Sequence, residues 1–182
     1  MSVQTTATRA LDELIVGIRA IVAQGSDDRE VAERVAETLQ PYLTSVDFLT
    51  DEQLEPDPTR YRQHVLHVEE DGSFSIVALV WLPGQATPIH DHVSWCVVGV
   101  HQGEEHETVY DIDTTDASYL VVTGQTINPV GSVAALTPPG DIHHVLNDGD
   151  TKAVSIHIYG ADIGKLGSSI RRRYDLEVRA SS

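Results

Sequence analysis

From Tyr61 onward the apolar residues stop recurring at helical spacing and begin to alternate with polar ones. Eight stretches, at 64–68, 73–82, 95–101, 106–112, 119–127, 132–136, 142–146 and 153–159, are rich in Val, Ile, Thr and Tyr. Turn residues punctuate the region: Glu70-Asp71-Gly72, Pro83-Gly84, Gly103, Gly124, Asn128-Pro129, Pro138-Pro139-Gly140 and Asn147-Asp148-Gly149. Alternation sends successive side chains to opposite faces of a strand, so each stretch reads as a strand with one buried face. Many short strands at regular spacing predict an antiparallel sandwich or barrel. Strands do not alternate with helices and no Gly-rich phosphate loop occurs, which argues against a parallel nucleotide-binding sheet.

The chain ahead of this region is helical. Leu11, Leu14, Ile15, Ile18, Ile21 and Val22 form one apolar stripe, with Gly25 as a stop. Ser26 is the expected cap of a second helix, with Asp27 and Asp28 in its first turn and Val31, Val35 and Leu39 as its stripe before Pro41. A further short helical turn is expected at 50–54. The 182 residues thus read as one domain: a packing cap over 1–55, a β-barrel core over 60–160, and an extension over 161–182 that carries Arg171, Arg172 and Arg173 and then an irregular tail.

Charge removes several partner classes. With 12 Lys and Arg against 28 Asp and Glu, the formal net charge is -16, which repels nucleic acid and anionic membrane surfaces. Residues 1–20 interrupt their apolar positions with Arg9, Asp12, Glu13 and Arg19, and the longest apolar run, 76–82, is far short of the roughly 20 residues a bilayer helix needs. A soluble, cytoplasmic protein is expected. Cys96 is the lone cysteine, so an internal disulfide and a cysteine-only metal site are excluded.

The nine histidines all lie between His64 and His157. His90 and His92 are two apart at the start of a strand, so both can face one ion inside a barrel. A third ligand must come from another strand, and of the neighbours His143 and His144 only one can face inward. On one strand Ser155, His157 and Tyr159 alternate, so their polar groups share a face and can form a hydrogen-bonded chain, or else mark a solvated face. His101 and His106 flank a turn and are expected to be solvated, while His64 and His67 fit either a pocket or the surface.

Two framed motifs add to this. The first runs Gly84, five residues, His90, one residue, His92, three residues, Cys96, six residues, Gly103; the second runs Gly131, six residues, Pro138, one residue, Gly140, two residues, His143, three residues, Asn147. Together they resemble the paired signature of the cupin superfamily, a double-stranded β-helix barrel, over roughly 60–160. The resemblance selects His143 over His144 as the third ligand. Cys96 stands where that pattern usually carries a glutamate ligand, so three neutral imidazoles would leave room for an anionic donor such as a thiolate. With Ser155-x-His157-x-Tyr159 and the stretch at 80–92, the chain resembles the cysteine dioxygenase family, including its bacterial 3-mercaptopropionate branch.

That resemblance implies an iron-dependent thiol dioxygenase whose Fe(II) is held by His90, His92 and His143 and whose partners are a small thiol and O2. Both oxygen atoms would go to the sulfur of cysteine or 3-mercaptopropionate, giving a sulfinate. Tyr159 would donate towards substrate or oxygen, oriented by Ser155 and His157. Cys96 falls where relatives join a cysteine to the triad tyrosine, which leaves a Cys96–Tyr159 crosslink or a buried free thiol. For the substrate carboxylate, the segment from Arg60 to His64 resembles the glutamine type, with Gln63 at the matching position and Arg62 beside it. That branch's arginine has Ser168 near its place here, which leaves Arg171 and its two neighbours as candidates or as a solvated face. The other readings are a non-catalytic cupin that binds a metal or small ligand, and a cupin dioxygenase or isomerase acting on carbon, where a glutamate ligand would be expected.

Overall fold

The computed structural model describes residues 8–115 and 119–179. The first seven residues of the segment read for a leader, and the tail at 180–182, lie outside them. Helix α1 (Arg9–Val22) is capped by Thr8, whose hydroxyl accepts from the Leu11 amide. Helix α2 (Asp28–Leu39) is capped by Asp27 rather than by Ser26: the Asp27 carboxylate accepts from the Glu30 amide at 2.9 Å and adds its charge to the positive end of the helix. The expected turn at 50–54 is a 3-10 turn, Asp51–Leu54, begun by Thr50.

The strands are β1 (Arg62–Val68), β2 (Ser75–Trp81), β3 (His90–His92), β4 (Cys96–Gln102), β5 (Glu104–Ile112), β6 (Tyr119–Pro129), β7 (Val133–Leu136), β8 (His143–Leu146) and β9 (Ala153–Tyr159). Beyond them come a single helical turn, α3 (Ile163–Leu166), and strands β10 (Ile170–Arg173) and β11 (Glu177–Arg179). They form a five-stranded sheet, β1-β2-β9-β4-β7, and a six-stranded sheet, β10-β3-β8-β5-β6-β11. This is the double-stranded β-helix with an N-terminal helical cap. Gly124, which reads as a turn, lies inside β6 opposite Val109, next to a register shift in the β5–β6 ladder.

A further expectation is corrected. The tail after the three arginines is not irregular throughout: it carries β11, paired with β6, while the arginines themselves lie on β10, paired with β3, so the segment completes the six-stranded sheet. His90 and His92 do stand at the start of a strand, and it is a three-residue strand of its own in the sheet opposite β4, because Val93 to Trp95 carry the chain across between the two sheets.

Strands β2 and β9 are buried along their whole length because they are covered on both faces. Ile76, Ala78, Val80, Val154, Ile156 and Ile158 pack against the apolar stripes of α1 and α2, while Val77, Leu79, Trp81 and Tyr159 belong to a second cluster on the opposite face. Close packing of the cap shows at Gly99, where a Cβ would stand 2.8 Å from Leu43 and 2.9 Å from Leu39. His101, expected in solvent, donates from Nδ1 to the Leu43 carbonyl at 2.9 Å and stacks edge-on to Phe48, tying cap to barrel. No helix among the described residues is long and apolar enough to cross a membrane.

Candidate metal centre and its cavity

Inside the barrel His90 and His92 share a face of β3, and His143 of β8 is the direct ladder partner of His90. Their side chains are at least nine-tenths buried, and one ligand atom from each lies within 4.8 Å of the others. Each ring is oriented from behind: Nδ1–H of His90 donates to the Pro88 carbonyl at 2.9 Å, that of His92 to Asp141 at 2.9 Å, and that of His143 to Glu107 at 2.6 Å. With all three Nδ1 protons committed, the three Nε2 lone pairs are left to face one another. Nε2 of His143 is buried without a partner. Such an orphaned acceptor, among three neutral imidazoles, fits a divalent cation.

Burial holds His90 down to about 3, helped by the mutual repulsion of the three rings, and depresses His92 against the opposing pull of Asp141. Burial alone would raise Asp141 and Glu107, yet their hydrogen bonds to the imidazoles outweigh it and keep both low. Neutral rings backed by carboxylates are good ligands. His144 points to the other face of β8, as expected, and His64 and His67 do not line the site: the first meets the Glu55 carbonyl and the second Glu69.

The centre opens into a cavity of about 290 Å³, whose lining includes Gln63, Leu79, Thr87, His157, Tyr159 and Ser169. Along β9 the polar chain is continuous. Ser155 Oγ lies 2.9 Å from Nε2 of His157, and the Tyr159 hydroxyl 3.1 Å from its Nδ1. Burial first, and then the three neighbouring imidazoles, push His157 well below its ordinary value, while burial and the nearby Cys96 push Tyr159 well above its own. Both are therefore neutral across the physiological range. Cys96 is buried and unpaired, and stands opposite Tyr159 in the β4–β9 ladder.

The expected substrate residues divide. Gln63 faces the cavity beside its ladder partner Leu79. Arg62 lies on the other face of β1, half exposed, 3.5 Å from Glu55. Arg171 turns away as well: with Arg172 and the Tyr174 hydroxyl it donates to Oδ2 of Asp91, the residue between the two ligands on β3. The reason is the register, which shifts between Ile170 and Arg172 and pairs Arg173 with His90. Arg173 and Arg60 are the arginines that line the cavity. Sequence reasoning missed Asp141, Glu107 and this choice of arginine. Nothing in the sequence singles out Glu107 or Asp141 among its 28 acidic residues.

A family model described as cysteine dioxygenase type I matches residues 1–167. Among curated relatives, the cysteine dioxygenase type 1 of Danio rerio is 32% identical over 106 residues, covering 57% of this chain and 52% of that protein. That of Rattus norvegicus is 28% identical over 105 residues, with the same shares. The chain thus matches about half the length of these relatives. Among solved structures, a conserved protein with a double-stranded β-helix domain from Klebsiella pneumoniae superposes with a TM-score of 0.49 at 19% identity, covering 65% of this chain and 91% of that one.

Proposed function

The chain belongs to the cysteine dioxygenase type I family, and from that premise we propose that it is an iron-dependent thiol dioxygenase. It adds both atoms of O2 to the sulfur of a small carboxylate-bearing thiol, cysteine or 3-mercaptopropionate, and releases a sulfinate. The observation that carries this reading is the convergence of three back-anchored, neutral imidazoles on a cavity that also holds the Tyr159 hydroxyl and two arginines. A cytoplasmic setting suits its lone, unpaired thiol.

His90, His92 and His143 would hold the iron, which when bound would supply the redox chemistry that the reaction of a thiol with O2 needs. The chain's own groups do the rest. Neutral ligands leave the metal's charge uncancelled, so a thiolate is attracted into an otherwise acidic protein. Arg173 and Arg60, with Gln63, take the carboxylate, which a charge-assisted pair binds better than a neutral donor. Tyr159 stays a protonated phenol and donates towards the reacting atoms, held in place by His157. Leu79, Thr87 and Val145 wall the cavity and exclude water.

Metal analysis followed by oxygen uptake tests this, with L-cysteine, 3-mercaptopropionate, cysteamine and mercaptosuccinate as the panel. Uptake of one O2 per thiol by the iron-loaded protein is expected for the first two. Retention of zinc, with no uptake after iron reconstitution, would identify a non-catalytic binding protein instead.

A further inference from the structure

Strand β10 presents both Ile170 and Arg173 to the cavity, although residues three apart on a regular strand face opposite ways. The ladder shows how both come to face inward. Ile170 pairs with His92, Arg172 with Asp91 and Arg173 with His90, so Arg171 and Arg172 together stand against the single residue Asp91. This is a β-bulge, one extra residue in one strand of a pair. Without it, pairing counted from Ile170 would set Arg171 opposite Asp91 and Arg172 opposite His90. Arg172 would then be the guanidinium beside the first imidazole.

The partners of Asp91 explain why the bulge holds. Its buried carboxylate lies on the face of β3 turned away from the cavity, where Oδ2 accepts from Nη2 of Arg171 at 2.9 Å, from Nη2 of Arg172 at 2.8 Å and from the Tyr174 hydroxyl at 2.9 Å. Oδ1 is buried with no partner. Two guanidinia reach one oxygen because both residues stand opposite Asp91; a regular ladder would send the second to the cavity face. A bulge leaves its extra residue unpaired in the ladder, and two charge-assisted pairs to a buried carboxylate offset that loss. Ahead of the bulge the strand is fixed, since the Val93 amide donates to the Ser169 carbonyl at 3.0 Å. Beyond it, residues 174–176 join β10 to β11 outside any strand and supply the slack for a slip of one residue.

We propose that Asp91 is a positioning residue: it locks the β10 bulge and so selects Arg173, out of three consecutive arginines, as the guanidinium that enters the cavity. The other two are spent on the lock, and Arg173 makes no ion pair among the described residues, which leaves it for an incoming anion. Loss of either locking arginine is covered by the other and by Tyr174, whereas loss of Asp91 removes the acceptor all three share. Arg171 and Arg172 are half exposed, so water takes up their charges when Asp91 is removed and no buried charge is stranded. The proposal rests on the dioxygenase reading only for the identity of the anion, a thiol's carboxylate.

Nuclear magnetic resonance of the full chain, loaded with diamagnetic Zn(II), reads the register from contacts between strands. In the wild type these should join Arg172 to Asp91 and Arg173 to His90. In Asp91→Ala, and in the isosteric Asp91→Asn, which guards against a folding defect, they should move by one residue and join Arg172 to His90. Calorimetry of the same proteins with 3-mercaptopropionate reads the consequence, with cysteamine, which has no carboxylate, as the control. Arg173→Ala should weaken 3-mercaptopropionate binding by about 10-fold to 100-fold in the wild type. In either Asp91 variant that loss should pass to Arg172→Ala, and Arg173→Ala should become silent. Deleting Arg171 from an Asp91 variant removes the extra residue and should return the dependence to Arg173, a rescue that a merely structural role for Asp91 does not give. An unchanged register in both Asp91 variants, or a dependence that stays with Arg173, overturns the proposal. The register readout needs no thiol, so a wild type that neither binds nor oxidises any thiol would count against the dioxygenase reading alone.

Discussion

Arg173 and His90 are ladder partners across β10 and β3, so a guanidinium is delivered to the same face of the sheet as the putting-in-place of the first imidazole. Arg171, two residues earlier, is spent on Asp91. Arg173→Ala should raise KM for cysteine and 3-mercaptopropionate by about 10-fold to 100-fold, the worth of a charge-assisted hydrogen bond of roughly 1.5–3 kcal/mol. The KM for cysteamine, which has no carboxylate, should not move, and Arg171→Ala should leave all three unchanged. Steady-state oxygen uptake measures this.

Metal retention should depend on the carboxylates behind the rings as well as on the rings. His143→Ala should abolish it. Glu107→Ala, which removes the acceptor 2.6 Å from His143 Nδ1, should weaken it by about 10-fold to 100-fold. Titration against a competing chelator reads both, with folding checked by circular dichroism.

Glu105 makes the fold pH-sensitive in an unusual direction. Its folded value of about 7 lies above its ordinary 4.5, so the native state binds the proton more tightly than the unfolded chain. Below the ordinary value both states are protonated and nothing is lost; as pH rises from there through about 7 the native state is progressively penalised, by at most about 3 kcal/mol. Glu105→Gln should therefore raise the melting temperature by several degrees in mildly alkaline buffer, with the gain vanishing in acid. Calorimetry across pH gives the sign directly.

Cys96 and Tyr159 are direct partners in the β4–β9 ladder and belong to one buried cluster, which sets the thiol beside the phenol side chain. Protein matured with iron, thiol substrate and O2, the oxidant that takes up the two hydrogens, should be two hydrogens lighter than the encoded mass, and Cys96→Ser should not. An unchanged mass, with Cys96 fully alkylated after denaturation, identifies the free thiol.

Much of this was legible because strand alternation is a strong code. His90 and His92 two apart, and Ser155, His157 and Tyr159 in step, could share a face only if the region was β, and the register confirms that they do. The carboxylates behind the rings were not legible for a plain reason. In a chain with 28 acidic residues, Glu107 and Asp141 look like any solvated acid until the sheet closes over them. Strand β10 was hidden because three consecutive arginines read as surface, and the shift that sends Arg173 inward and Arg172 to Asp91 is a property of the pairing with β3. The cap of α2 was misplaced by one residue because Ser26 and Asp27 both satisfy the rule, and only backbone geometry chooses.

The short strand that carries two of the imidazoles has a single ladder partner in β8, and its other edge leans on β10, clamped there by Asp91. A ribosome delivers the chain from its N-terminus, so His90, His92 and His143 are all synthesised before the strand that braces the first two. A chain that ended before Ile170 would hold all three ligand residues and lack the ladder that braces two of them, so the segment beyond the barrel core belongs to the scaffold of the centre.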